Sequence, residues 1–151
     1  MADKQNYCIG VIADTHDKWI PQLAELFQDV DEIWHLGDVC QEPILDELRA
    51  INSRLTVVLG NNDFTLDSPL DLNLKRGDER FHLVHILPKR ISTDTDWLLF
   101  GHTHRPLDEI HNGVHLFNPG SAGRANKGAP LSVGFLTREK GGKFRGSIVL
   151  L

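Results

Sequence analysis

At 151 residues, 40% hydrophobic and 25% charged, the chain has the make-up of one soluble globular domain over residues 1–151, long enough to bury a proper core. Its apolar runs fall far short of the ~20 residues of a membrane-spanning helix, and the N-terminus lacks a signal peptide's apolar stretch, which argues against a membrane protein and points to the cytoplasm. A net charge of −5 argues against broad nucleic-acid binding, which needs a basic surface, but leaves room for a locally positive pocket.

Tyr7 to Ala13 is a β-rich apolar run of the kind that forms a fully buried strand, and it ends at Asp14-Thr15-His16-Asp17. Leu23, Leu26, Phe27 and Val30 then fall at helical spacing behind Pro21. Asp31 to Leu36 reads as a second strand ending at Gly37-Asp38. Pro43 opens a helix with Ile44, Leu45, Leu48 and Ile51 on one face. Leu55 to Leu59 is a third strand, ending at Gly60-Asn61-Asn62-Asp63. This strand–helix alternation predicts right-handed crossovers and a parallel sheet.

The second half changes character. Residues 64–79 read as polar loop. Phe81 to Val84 is a strand ending at His85, and Trp97 to Phe100 is a strand ending at Gly101-His102. Asn112-Gly113 turns one hairpin. Leu131 to Thr137 and Phe144 to Leu151 form another across a Gly-rich turn. A second sheet packed on the first, with helices outside, follows.

Histidine is the unusual entry in the composition, at eight residues. Asp14 and His16 stand two apart, so on an extended chain they point the same way and can grip one ion together. Singly, each motif has a bland reading. Gly37-Asp38 and Gly60-Asn61 are ordinary turn chemistry, and a lone His85 is ordinary in a core. Gly101-His102-Thr103-His104 is the strongest piece, with two imidazoles two residues apart behind a buried strand. The conjunction decides: five strand ends each carry Asp, Asn or His. In open α/β sheets such ends converge on a site, and burying these groups without partners is costly.

The ordered set Asp-x-His, Gly-Asp, Gly-Asn, His, Gly-His-x-His resembles the calcineurin-like metallophosphoesterases, most closely the small stand-alone prokaryotic phosphodiesterases. Asn118-Pro119-Gly120-Ser121 matches a segment often found after the last motif of that group. The resemblance runs from about Ile9 to Gly123. It implies an α/β/β/α sandwich of two mixed sheets flanked by helices. It also implies two divalent ions, manganese first and iron, zinc or nickel as alternatives. Asp14, His16 and His104 would hold one, Asn61, His85 and His102 the other, and Asp38 would bridge. Two such ions, roughly 3.5–4 Å apart, share a hydroxide for in-line attack on phosphorus. His102 would assist catalysis, and Asn62 and Arg105 are candidate substrate contacts. Because ligand histidines must be neutral, activity should fall below about pH 6.

Three departures bear on the substrate. The residue after the Asn ligand is often His or Cys in relatives; here it is Asn62, which transfers no proton at neutral pH. Ile86 replaces the usual glycine after the fourth-motif histidine. Only 16 residues lie between His85 and His102, leaving little room for the helix that relatives fit there. The expected partner is a small phosphorylated substrate, with association between copies of the chain left open. A non-catalytic scaffold on the same fold is the alternative, since the superfamily contains a retromer scaffold subunit with a degenerate metal site. All seven ligand positions are filled here, which favours the enzyme. A nuclease is a third reading, disfavoured by net charge. His35 is expected in the core, His82 as structural, and His111 and His115 as exposed. Asp17 and Asp63 are expected in turns or behind the ligands. Cys8 and Cys40, too few for a disulfide framework, are read as structural.

Overall fold

A computed structural model describes residues 6–124 and 130–151. The chain runs β1 (Asn6–Ile12), α1 (Gln22–Leu26), β2 (Glu32–His35), α2 (Glu42–Ile51) and β3 (Leu55–Val57). It continues through β4 (Asp71–Arg76), β5 (Glu79–Val84), β6 (Trp97–Leu99), β7 (Leu107–His111), β8 (Val114–Asn118), β9 (Ser132–Glu139) and β10 (Arg145–Leu150). Two five-stranded sheets result, ordered β10-β9-β1-β2-β3 and β4-β5-β6-β8-β7. Both are mixed. In the first, β1, β2 and β3 are parallel and β9 and β10 add antiparallel. In the second, β5, β6 and β8 are parallel and β4 and β7 pair antiparallel at the edges.

Strand alternation sorts side chains between two cores. Ile9, Val11, Trp34 and Leu36 enter the core between the sheets, where Phe81, Leu83, Trp97, Leu99 and Phe117 meet them. Ile12 and Ile33 turn the other way, under Leu23 and Phe27 and the α2 face of Ile44, Leu45 and Leu48. Central strands buried on both faces read as the unbroken apolar runs seen in the sequence. A third cluster, with Val84, Leu98, Phe100 and Leu116, lies apart from these two and takes Ile91 against it. Between His85 and β6 the chain forms no helix, as its short length requires.

Two segments depart from expectation. The first helix is five residues long and stops before Phe27 and Val30. Asp31 pulls the chain away by accepting the Cys8 N–H at 2.7 Å, which starts β2. Residues 71–76, read as loop, form β4. It is an edge strand whose Leu72, Leu74 and Arg76 are half-buried while Asp71, Asn73 and Lys75 face solvent. One-sided pairing needs only every second residue apolar, so polar outward residues mask the strand.

Glu32, only 2% exposed, closes one end of the sandwich. It accepts hydrogen bonds from Tyr7 Oη, Trp34 Nε1 (2.8 Å), and Arg76 Nε and Nη2 (2.7 and 2.8 Å). Burial opposes its charge, but these donors outweigh burial and hold its carboxyl below the usual range. Glu32→Ala would strand the Arg76 charge. Its expected cost is about 2–4 kcal/mol, below the figure for a fully buried pair because Arg76 keeps some solvent contact. Urea denaturation at neutral pH measures it, and a change under about 0.5 kcal/mol, the size of an ordinary surface substitution, would contradict this role.

Candidate metal centre

Parallel strands deliver their following loops to one edge, and the polar clusters meet there. Backbone hydrogen bonds join the loops directly. Asp14 N–H reaches the Gly37 carbonyl (2.9 Å), His16 N–H the Asp38 carbonyl (3.0 Å) and Gly101 N–H the His85 carbonyl (2.9 Å). The extended geometry expected for Asp14 and His16 does not occur. Both are left-handed, at φ 53° and 49°, and so are Asp38 (58°), His102 (71°) and His104 (61°). Side chains converge because the chain coils at each strand end, not because it runs straight. Asp and His tolerate this region better than most residues, yet each position costs on the order of 1 kcal/mol.

The convergent atoms form two overlapping groups, Asp14–His16–His104 and Asp14–Asp38–His85. Asp14 Oδ1 lies 3.4 Å from His104 Nε2 and 3.7 Å from both His16 Nε2 and His85 Nε2. Asp38 Oδ2 lies 3.4 Å from His85 Nε2 and 3.6 Å from His16 Nε2. His16 Nε2 and His104 Nε2 are 3.1 Å apart. Asp14 as well as Asp38 thus stands between the groups. The His102 ring centre is 5.2 Å from that of His85, and the backbone N–H of His102 donates to Asp14 Oδ2 at 2.9 Å. Asn61 is exposed, and its side chain makes no hydrogen bond among the described residues. Asn62, also exposed, reaches the cluster: its backbone N–H and Nδ2 donate to the two oxygens of Asp38, each at 2.9 Å.

A shell of hydrogen bonds aims these side chains. His85 Nδ1–H donates to the Leu36 carbonyl at 2.8 Å, which leaves Nε2 facing the cluster. Asp63 accepts the N–H groups of Asp38, Cys40 and Gly60 at 2.7–2.8 Å. Asn118 Nδ2 holds the Gly101 carbonyl (3.0 Å) and Thr103 Oγ1 (3.1 Å), and Ser121 Oγ holds the Asp14 carbonyl (2.7 Å). His35 is fully buried in this shell. Its Nδ1 accepts the Gly37 N–H and its Nε2–H donates to Thr15 Oγ1, each at 3.1 Å. Burial lowers its pKa to about 3, so it stays neutral. Gly37 is required twice, by its φ of 102° and because a Cβ there would stand 2.7 Å from His85 Nδ1.

Charge is held under tension in this pocket. Burial, with help from Asp38 and Asp63, raises Asp14 to about 7 against the pull of His85 and the His102 N–H. Burial also opposes ionised Asp38, but His85 and the two Asn62 donors hold it far below the usual carboxylate range. For His85, the Asp38 and Asp14 carboxylates overcome burial and raise its pKa. Burial lowers His16 and His104. Two buried polar atoms lack a hydrogen-bond partner among the described residues, Asp14 Oδ1 and His85 Nε2. Both belong to the cluster and both carry a lone pair when deprotonated. Orphaned acceptors beside facing imidazole nitrogens fit a divalent cation taking mixed nitrogen and oxygen donors.

Other sequence candidates fall out differently. Arg105 is exposed, and among the described residues only its backbone N–H is engaged, with Thr103 Oγ1 at 3.2 Å. Cys40 lies with its Sγ 3.9 Å from His16 Nδ1, and burial beside Asp63, Asp38 and Asp17 pushes its thiol up to about 11. His115, expected exposed, stacks on Trp97 at 3.7 Å and pairs with Asp108, because β8 register sets it beside Trp97. Arg124 was not anticipated. Its charge acts on both His16 and His104. Only its place just beyond Asn118-Pro119-Gly120-Ser121 hinted at the site.

Residues 8–141 match the model of the calcineurin-like phosphoesterase superfamily domain. A probable metallophosphoesterase of Methanocaldococcus jannaschii is 33% identical over 132 residues, covering 75% of this chain and 67% of the relative. A phosphodiesterase of the same organism is 27% identical over 156 residues, covering 87% and 93%. In fold, Vacuolar Protein Sorting 29 from Cryptosporidium parvum superposes with a TM-score of 0.79 at 20% identity, over 98% of this chain and 99% of the other. An archaeal phosphodiesterase superposes at 0.78 and 23%, over 94% and 99%. With its motifs at strand ends of two facing mixed sheets, and the family model spanning most of its length, the chain belongs to the calcineurin-like phosphoesterase superfamily.

Proposed function

We propose that the chain is a binuclear metal-dependent phosphodiesterase. The observation that carries this reading is the pair of donor groups sharing Asp14, with Asp14 Oδ1 and His85 Nε2 left unpartnered inside it. Asp14, His16 and His104 would hold one ion, His85, His102 and Asn61 the other, with Asp38 between them. Manganese is the first candidate. When bound, such ions act as Lewis acids on phosphoryl oxygens and supply a water nucleophile at neutral pH.

The chain's own residues do the rest. The left-handed loops, the backbone hydrogen bonds that Asp63 accepts and those that Ser121 and Asn118 donate fix the cluster before anything binds, so little reorganisation remains. Asn62 holds Asp38 in place but offers no proton to a leaving group. His102, exposed at the cluster edge, is the remaining imidazole that could face one. Esters with good leaving groups are therefore the best substrates. Phe64, two residues past Asn62, and Ile86, next to His85, are 86% and 52% exposed and give an aryl group an apolar surface. A relative named as a phosphodiesterase supports the diester.

The scaffold alternative draws on likeness in fold to Vacuolar Protein Sorting 29, but the archaeal phosphodiesterase superposes equally well. Filled and convergent donor positions favour the enzyme. Protein purified without chelator should carry divalent metal. It should hydrolyse bis(p-nitrophenyl) phosphate with manganese, with little activity on p-nitrophenyl phosphate and none with excess EDTA. Absence of hydrolysis with every divalent metal tried would overturn the proposal.

A further inference from the structure

Residues 121–124 run against the first ligand loop. Ser121 Oγ donates to the Asp14 carbonyl at 2.7 Å and Ala122 N–H to the Ala13 carbonyl at 3.1 Å. A Cβ on Gly123 would stand 1.7 Å from the Thr15 carbonyl oxygen, so the two backbones are in direct contact. Arg124 N–H then donates back to Ser121 Oγ at 2.8 Å, which closes a turn. The Arg124 side chain therefore starts from a pinned backbone beside His16 and His104. Its guanidinium is near enough to lower the pKa of His16 and His104, adding to burial there, and to oppose the rise that burial gives Cys40. It makes no hydrogen bond or ion pair of its own among the described residues.

Placing a fixed positive charge beside donors that suit a divalent cation is unfavourable by itself. The ion and the guanidinium repel, and the arrangement is stabilised only when an anion lies between them. A phosphoryl group has the right charge and presents paired oxygens to a planar fork of N–H donors. Arg105 follows His104 directly, with its backbone N–H on Thr103 Oγ1, but its charge is not among the main influences on His16 and His104, as that of Arg124 is.

We infer that Arg124 is the residue that binds the phosphoryl oxygens of the substrate at the Asp14–His16–His104 side of the cluster. This deepens the phosphoesterase reading and rests on it for the identity of the anion. Phenylphosphonate, which cannot be hydrolysed as an ester, separates the two ideas. Calorimetric titration of phenylphosphonate onto manganese-loaded protein should show binding that Arg124→Ala weakens about tenfold, the scale of a lost charge-assisted hydrogen bond. Arg124→Lys should recover part of the loss, keeping charge without the fork. Both variants should keep the manganese-induced rise in melting temperature, because the backbone around Arg124 is unchanged. With bis(p-nitrophenyl) phosphate the loss should fall mainly on KM.

Wild-type affinity for phenylphosphonate in Arg124→Ala, or a loss confined to Arg105→Ala, overturns the inference. So does loss of the manganese effect in Arg124→Ala, which would make the residue structural, and so does a wild type that binds no phosphonate. Arg124-dependent phosphonate binding without cleavage of any ester upholds the anion site and removes the hydrolase reading.

Discussion

Asp38→Asn should reduce manganese-dependent hydrolysis of bis(p-nitrophenyl) phosphate on the order of 10³-fold or more. Asp38 Oδ2 lies within 3.6 Å of both His16 Nε2 and His85 Nε2, so no other carboxylate replaces it between those two rings except the already shared Asp14. Losing a shared charged donor removes several kcal/mol of transition-state charge stabilisation, and each ~1.4 kcal/mol is a factor of ten in rate. Asparagine keeps the shape and one acceptor for Asn62, so the fold should persist. Melting with and without metal separates the two effects. Wild-type protein at a manganese concentration about a hundredfold above Kd should gain roughly 2.7 kcal/mol, or about 5–10 °C in a domain of this size. The variant should melt near the wild-type metal-free temperature and lose most of that gain. A variant keeping more than about a tenth of wild-type activity would remove Asp38 from the centre.

Manganese affinity should weaken as pH falls, by about tenfold or somewhat more between pH 8 and pH 6. The sign follows from the two raised groups. Asp14 titrates at about 7 in the metal-free fold, and a metal takes only its ionised form. Above pH 8 that form predominates; at pH 6 the bound proton must leave before the ion enters. His85, also raised, adds in the same direction, since its Nε2 must be free of a proton. His16 and His104 are lowered by burial and take up protons less readily than ordinary imidazoles. The acid limit therefore comes from Asp14 and His85 and sits nearer pH 7 than the pH 6 inferred from an ordinary histidine. Calorimetry at three pH values, in buffers of different ionisation enthalpy, reads both affinity and protons released. Affinity unchanged from pH 8 to pH 6, with no proton release, would show that Asp14 is not a ligand.

Much of the architecture was legible because its causes are local. Tyr7 to Ala13 announces a central strand, since a strand buried on both faces must be apolar throughout, whereas Leu55 to Leu59 yields β3, which lies at the sheet edge with Leu55 and Thr56 only half-buried. Pro43 and the spacing of Ile44, Leu45 and Leu48 announce α2, since a helix packed on a sheet buries a single apolar face. β4 was hidden because an edge strand needs apolar residues on one face only, and Asp71, Asn73 and Lys75 alternate with its leucines. The first helix was overextended, because helical spacing of Leu23 to Val30 also suits a short helix followed by a turn once Asp31 binds the Cys8 N–H.

The cluster divides in the same way. Residue type and strand-end position singled out Asp14, His16, Asp38, His85, His102 and His104, since only parallel strands bring such distant positions to one edge. What the chain order could not state was conformation and charge. Left-handed backbones at five of these positions arise from hydrogen bonds between loops remote in sequence. The pKa of about 7 at Asp14 arises from burial, which exists only once both sheets close over it. Arg124 enters because residues 121–124 pack on residues 13–15, a contact across more than 100 residues that no spacing rule encodes. The sequence by itself determined which donors this protein carries and on which strand ends. Tertiary structure alone decided how they face one another, what their protons cost and which cation stands beside them, because burial and distance are properties of the packed chain.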